Sequence, residues 1–146
     1  MSTITQVADA IASALNDGAF SQEFTAQRLY QPSFELADLE TLRVSVVPKS
    51  VTVTNASRTH AFLDCAIDIG VQKKLSPGSE SETDAEIDAL LALAEEIADH
   101  LRQKRLEAMP EAAWLSLEHE PIFAPEHLDQ HRQFTSVLTV TYRVRK

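Results

Sequence analysis

The segment QFTSVLTVTYRVRK, residues 133–146, is the most informative part of this chain. Large apolar residues occupy most of its even positions and polar residues most of its odd ones; the apolar set is Phe134, Leu138, Val140, Tyr142 and Val144. Successive side chains of a β-strand point to opposite faces, so this period of two predicts a strand with one apolar and one solvated face. The apolar face of such a sheet needs a covering layer.

Four further segments favour strands. Residues 24–30 and 113–118 are short, and residues 42–46 alternate up to Pro48, with a possible continuation over 51–54 beyond a bend. Residues 61–75 form the longest alternating run, which predicts a strand that outruns its partners and projects as a hairpin arm.

Two segments have the helical period and supply the cover. The first spans residues 3–15, with Thr3 and Gln6 as a capping box; the second spans 83–106, with Thr83 and Glu86 in the same roles. The order of elements predicts a single α+β domain over residues 1–146. We expect a mixed, mainly antiparallel sheet of about five strands with both helices on one face.

The connections between these elements carry weaker signals. Phe34, Leu36 and Leu39 are expected to pack beneath the strand that follows them. Residues 76–82 contain Pro, Gly, Ser and acidic residues and predict a mobile connection, and residues 121–132 predict a long polar one with at most a short helical turn.

Composition bounds the function classes. The 146 residues and 16.2 kDa suit one domain, and 44% hydrophobic residues suffice for a core. A net charge of −9 argues against broad attraction to nucleic acid phosphates. The chain has a single cysteine, no apolar run near the ~20 residues of a membrane span, and no basic leader, so we expect synthesis and folding in the cytoplasm.

The candidate chemistry is sparse. His127 and His131 are four residues apart and His119 lies nearby, so a loop zinc site, and with it a small metal-dependent enzyme, remains an alternative; the metalloprotease pattern is absent. Asp64 and Asp68 stand about 13 Å apart on one strand, too far for a catalytic carboxylate pair. Cys65 points toward the core.

Other ligand classes receive little support. The chain has three glycines, none placed to open a phosphate-binding loop, and its aromatic residues, Trp114 and Tyr30 among them, lack interleaved basic residues and favour packing. We therefore predict no catalytic residue, no metal and no cofactor.

Four stretches together resemble one known family. They are LRVSVVP at 42–48, AIDIGVQKK at 66–74, the helix over 87–106, and PEHL with RQFTSVLTVTYR between 125 and 143. The combination resembles the tail-terminator, or tail-completion, proteins encoded in the head-to-tail region of long-tailed bacteriophages and prophages. The resemblance spans roughly residues 4–146.

The resemblance implies a structural virion protein made in the host bacterial cytoplasm. Family members are α+β domains that form a six-membered ring in the neck, which caps the tail tube, ends its elongation and docks the head connector, while DNA only passes through. No cofactor and no membrane are implied. The implied partners are copies of this chain, the major tail tube protein and the head-tail connector or head-closure protein.

By the same analogy, subunit and tube contacts fall on residues 49–59, 72–82 and 121–133. The charged candidates are Lys49 and Arg58 opposite Asp64, Asp68, Glu80 and Glu82, with His127 in the third segment. Another neck component, a head-closure or adaptor protein, remains the alternative within the virion, and a regulatory binding module remains open.

Overall fold

The computed structural model describes residues 1–30, 40–102 and 104–146, without the side chains of residues 130 and 131. The elements follow in the order α1 (Thr3–Asn16), β1 (Ala26–Arg28), β2 (Arg43–Asn55), β3 (Ala61–Lys74), α2 (Glu80–Leu101), β4 (Ala113–His119), α3 (Pro125–His131) and β5 (Gln133–Arg145). The strands form one sheet in the order β1-β2-β3-β5-β4, in which only the β1–β2 pair is parallel. The predicted α+β class and the mixed, mainly antiparallel five-stranded sheet are confirmed.

The core lies between the sheet and the two long helices. β3 and β5 occupy the centre of the sheet, where Ile67 is opposite Val140 and Ile69 is opposite Leu138. All four side chains are fully buried, as the alternation predicted. The helices cover this face with their apolar stripes, among them Val7, Ile11, Leu15, Leu90, Leu93, Ile97 and Leu101.

Helix α1 begins at residue 3 as predicted and α2 begins three residues earlier than predicted, and both have N-caps other than the predicted ones. The Ser2 hydroxyl caps α1 by accepting the N–H of Thr5 at 3.3 Å, so Thr3 already lies inside the helix. Ser79 caps α2 by accepting the N–H of Glu82 at 3.3 Å. Thr83 is therefore an internal residue rather than the cap, since a serine one turn upstream performs the same task.

Helix α2 also ends five residues before the predicted end at residue 106. Arg102 leaves the helical conformation with ψ 119°, although its N–H still bonds the Ala98 carbonyl. Arg102, Lys104 and Arg105, which lie within the predicted helix over 83–106, follow the observed helix instead.

Two strands contain bulges that alternation alone did not reveal. In β2 the register shifts between Pro48 and Ser50, so Lys49 is the extra residue and the strand continues to Asn55. In β4 the shift between Trp114 and Ser116 places Leu115 in a bulge, where it is 39% exposed. Trp114 and Leu117, rather than Leu115, pack against the core.

A third, short helix occupies the predicted polar connection. Pro125 begins α3, and Arg132 ends it in the left-handed conformation with φ 47°, its N–H bonding back to the carbonyls of His127 and Leu128. The packing expected of Phe34, Leu36 and Leu39 falls outside the described residues. Within the described part of the chain, no helix is long and apolar enough to cross a membrane.

Candidate functional site

A bidentate ion pair lies on the solvated face of the sheet. Arg143 donates from Nε to Asp64 Oδ1 at 2.8 Å and from Nη2 to Oδ2 at 3.0 Å, because β3 and β5 place the two residues directly opposite each other. The guanidinium also lies 4.5 Å from the ring centroid of Phe62. The hydrogen bond from Arg143 lowers the pKa of Asp64 and outweighs the desolvation that would raise it. Asp64, a predicted subunit contact, is thus paired within its own chain.

Asp68 lies on the same face and has partners of its own. The Thr139 hydroxyl donates to Asp68 Oδ1 at 2.6 Å, and Lys49 Nζ approaches the same oxygen at 3.9 Å. The two carboxylates therefore have different partners: Asp64 binds Arg143 of β5, whereas Asp68 contacts Thr139 of β5 and Lys49 of β2. The structure brings two predicted interface residues, Lys49 and Asp68, together inside one subunit; contact with a second subunit stays a prediction for both.

The remaining charged candidates lie at two distant ends of the fold. Arg58 is exposed in the turn before β3, whereas Glu80 and Glu82 are exposed in the first turn of α2, which follows the other end of β3. A 14-residue strand spans about 45 Å at ~3.3 Å per residue, so these charges do not meet within one subunit. They remain predicted contacts between copies.

The candidate histidines are not brought to a common site. His119 Nε2 lies 2.6 Å from the Ser136 hydroxyl, and His127 Nδ1 lies 2.7 Å from the Thr135 hydroxyl. Ser136 and Thr135 are consecutive on β5 and point to opposite faces. Burial lowers the pKa of His119, which favours its neutral form. The side chain of His131 lies outside the described part of the chain.

The described residues contain no group of three metal-binding side chains. Cys65 is buried among core residues, as predicted, and burial raises the pKa of its thiol. Trp114 packs against the core, whereas Tyr30 is 71% exposed, with the Arg28 guanidinium 5.2 Å from its ring centroid.

Glu86 is a structural contact that the capping-box interpretation missed. Its Oε1 accepts from Lys73 Nζ at 2.8 Å and its Oε2 accepts the N–H of Ser76 at 3.1 Å, so it ties α2 to the end of β3. Burial alone would raise the pKa of Glu86, but the hydrogen bonds from Lys73 and Ser76 and the charges of Lys73 and Arg132 lower it overall. No local sequence pattern indicates this pairing.

A cleft of about 450 Å³ lies where the end of α1 meets the chain after α2. Its walls include Ala14, Asp17, His100 and Lys104. His100 Nε2 is 3.0 Å from the Ala14 carbonyl oxygen, to which it donates, so the imidazole serves the contact between the helices.

The outer half of β2 has an uncovered strand edge that sequence reasoning did not identify. β1 pairs only with residues 44–46, which leaves residues 49–55, here called the distal edge, without a neighbour in the described chain. Ala61 and Lys146 form a pair with two backbone hydrogen bonds. Because hydrogen-bonded pairs alternate along an antiparallel ladder, the odd-numbered residues of β3 direct their backbone groups to β5 and the even-numbered ones direct theirs to β2. The β2 partners of the odd-numbered residues, Val51, Val53 and Asn55, consequently direct their own N–H and C=O groups outward.

By contrast, the edge of β1 is closed by a side chain. Asn16, at the end of α1, accepts the N–H of Ala26 at 2.7 Å and donates to its carbonyl oxygen at 3.1 Å. Arg28 is held by Asp9 of α1 with Nε 2.5 Å from Oδ1. The side chain of Asn16 thus takes the place that a further strand would occupy at Ala26.

The other edge of the sheet is β4. Residues 113–119 pair with β5 on one side and, among the described residues, have no strand on the other. Since the odd-numbered residues of β5 bond β4, the backbone groups of Leu117 and His119 point outward from this edge. Within the described part of the chain, the sheet therefore has two unpaired edges, one on each side.

The fold is similar to one found in a solved virion. The structure is described as the virion of a native gene transfer agent (GTA) particle, and one of its chains matches this one with a TM-score of 0.51 and 16% sequence identity over 93% of this chain and 84% of that chain. At this identity the likeness concerns the fold. No protein-family model matches the chain, and comparison with curated proteins gives no match.

Proposed function

We propose that this chain is a structural, non-enzymatic virion protein of a phage neck, and that it forms the ring which caps the tail tube, ends its elongation and docks the head connector. The observation that carries the virion role is the fold shared over 93% of this chain with a component of the GTA virion. The resemblance to tail-terminator proteins rests on the sequence alone, and it supports the more specific assignment.

The charged side chains of the sheet and of α2 make contacts within the subunit, as suits a structural protein. The ion pairs and hydrogen bonds of Asp64, Asp68 and Glu86 hold strands and helices to one another. A net charge of −9 also suits a ring through which DNA slides, since an acidic wall does not retain phosphates.

The test is removal of the gene from its phage, followed by electron microscopy of the lysate. A terminator ring limits tube length, so the proposal expects overlong tubes without heads, and normal length after complementation with the wild-type gene. Tails of normal length joined to heads would refute the terminator role. DNA-filled heads that leak, or that fail to join tails of normal length, would instead assign the chain to the head-closure or adaptor position.

The non-enzymatic part of the proposal has its own test. Untagged protein should contain no stoichiometric zinc by elemental analysis. Bound zinc that is lost in His127→Ala, with folding unchanged by circular dichroism, would favour the metal-dependent alternative.

A further inference from the structure

We infer that the distal edge of β2 pairs with the β4 edge of a second copy of this chain, so that the sheet continues from one subunit to the next. The inference rests on the proposed ring and specifies its subunit contact. It is carried by the open backbone groups, by the charges beside them and by the faces on which the flanking side chains lie.

Beyond the bulge at Lys49, no part of the described chain covers the distal edge. An unpaired edge is a template for association, and soluble proteins protect it with bulges, lysines or prolines, or by shortening or covering it. The chain does this at β1, where Asn16 occupies both backbone groups of Ala26. On the same side of the sheet, Val51 and Val53 remain 40% and 63% exposed with their backbone groups directed outward. A strand from another molecule satisfies those groups.

Each edge contains one charge, Lys49 on the distal edge and Glu118 on β4, and the sequence that flanks each edge has charges of the same sign. Between Thr41 and Leu63 the chain has three cations, Arg43, Lys49 and Arg58, and no acid. Between Leu106 and Leu128 it has five glutamates, at positions 107, 111, 118, 120 and 126, and neither lysine nor arginine. Like edges would therefore repel, whereas the basic edge of one copy attracts the acidic edge of the next.

The flanking side chains also match by face. Lys49 contacts Asp68 on the solvated face. Asp68 also accepts a hydrogen bond from Thr139, which is the β5 partner of Glu118, so Lys49 and Glu118 lie on the same face. Val51 lies opposite the buried Cys65, so Val51 and Val53 share the helix-covered face with Leu117. Pairing the edges thus places a lysine near a glutamate on one face and apolar residues together on the other.

The strand directions define the arrangement. β2 and β4 run in opposite directions because three successive antiparallel pairings separate them. When a second copy lies beside the first in the same orientation, its β4 is therefore antiparallel to β2 of the first copy. The Lys49 end of β2 is then next to the Glu118 end of β4. Such a contact is head-to-tail, so each copy offers one edge of each kind, and the assembly closes into a ring when the rotation permits.

The experiment measures self-association of the purified full chain by sedimentation velocity over a concentration series. Wild-type protein should associate at high concentration and dissociate as salt is raised. Val53→Pro should weaken association about tenfold or more, because it removes an outward N–H and places a ring at the edge. Its folding should be intact, since that N–H does not bond β3. Val53→Thr, which keeps the N–H, should retain most of the association.

Charge reversals provide the second arm. Lys49→Glu and Glu118→Lys should each weaken association about three- to tenfold, and the double variant should recover it. Lys74→Glu, an equal charge change on β3 away from both edges, should have no effect. Wild-type protein that stays monomeric at its highest soluble concentration would overturn the inference, as would a double variant no better than the single ones.

Failure here is distinguishable from failure of the neck assignment. Overlong tubes on gene deletion with no edge-dependent association would keep the neck role and reject this contact. Edge-dependent association with normal tails would keep the contact and reject the role.

Discussion

Replacing Glu86 with glutamine removes one charge from the contact that joins α2 to the end of β3. Both carboxylate oxygens are used, by Lys73 Nζ at 2.8 Å and by the N–H of Ser76 at 3.1 Å. A glutamine of the same size keeps one acceptor and turns an NH₂ group toward the other donor. The side chains of Lys73 and Glu86 are 24% and 19% exposed, so solvent screens the pair only in part.

The expected loss follows from that geometry. Hydrogen bonds to a charged group contribute ~1.5–3 kcal/mol, and partial exposure reduces this to about 1–2 kcal/mol for the substitution. For a domain of this size we expect Tm at pH 7 to fall by about 3–6 °C in thermal unfolding followed by circular dichroism. Glu95→Gln, at an exposed position of the same helix, is the matched control and should leave Tm unchanged.

The pH dependence gives the stricter test. The pKa of Glu86 in the folded protein lies below its ordinary value of 4.5, so its stabilisation is fully present above that pH and is lost as the pH falls through the folded value. The Tm difference between wild type and Glu86→Gln should therefore be constant near neutrality and shrink as the pH falls below 4.5 and through the folded pKa. Equal Tm values at pH 7, or a difference that persists unchanged in acid, would show that the charge of Glu86 does not stabilise this contact.

Three further substitutions test other parts of the fold. Ile97→Ala, at a fully buried position on α2, should cost ~2–5 kcal/mol in chemical denaturation, and Ile97→Asp should prevent folding; wild-type stability in either would contradict the assigned core. Asn16→Ala should cost ~1–2 kcal/mol because both backbone groups of Ala26 lose their partner, with Asn16→Asp intermediate since it keeps the acceptor; no change would mean that the cap is not formed. In Arg143→Ala the pKa of Asp64, followed by carboxyl NMR, should rise toward 3.8, and an unchanged value would exclude Arg143 as the cause of its lowering.

The central strands could be predicted because their signal is local. Alternation on β5 and β3 reflects burial on one face only, and the structure buries the residues that it selected, such as Ile67 and Val140. In β4 a bulge shifts the alternation, so Leu115 is exposed although it has the same spacing from Leu117 as the apolar residues of a regular strand. A one-residue bulge leaves no mark in composition, since register depends on the partner strand.

The ends of α2 show a second limit. Thr83 and Glu86 satisfied the capping-box pattern, yet Ser79 caps the helix and Glu86 bonds Lys73 and Ser76 instead. Several residues can cap a helix, and tertiary contacts select among them. Local spacing therefore predicted the helix well but not its first residue.

The candidate site was the least predictable part. The sequence indicated which residues are charged, but Asp64 meets Arg143 across 79 residues of chain through strand register. The open edges of β2 and β4 depend on strand order, because whether a strand lies at the edge is a property of the whole sheet. Neither feature is visible in a local window of sequence.

The proposed place of this chain in the virion neck is tested most directly by a density map of the intact neck of the phage that encodes it, with each ring traced by its side chains. We expect a closed ring of this chain at the upper end of the tail tube, between the tube and the head connector. A map in which another gene product forms that ring, and this chain occupies no position in the particle, would contradict it.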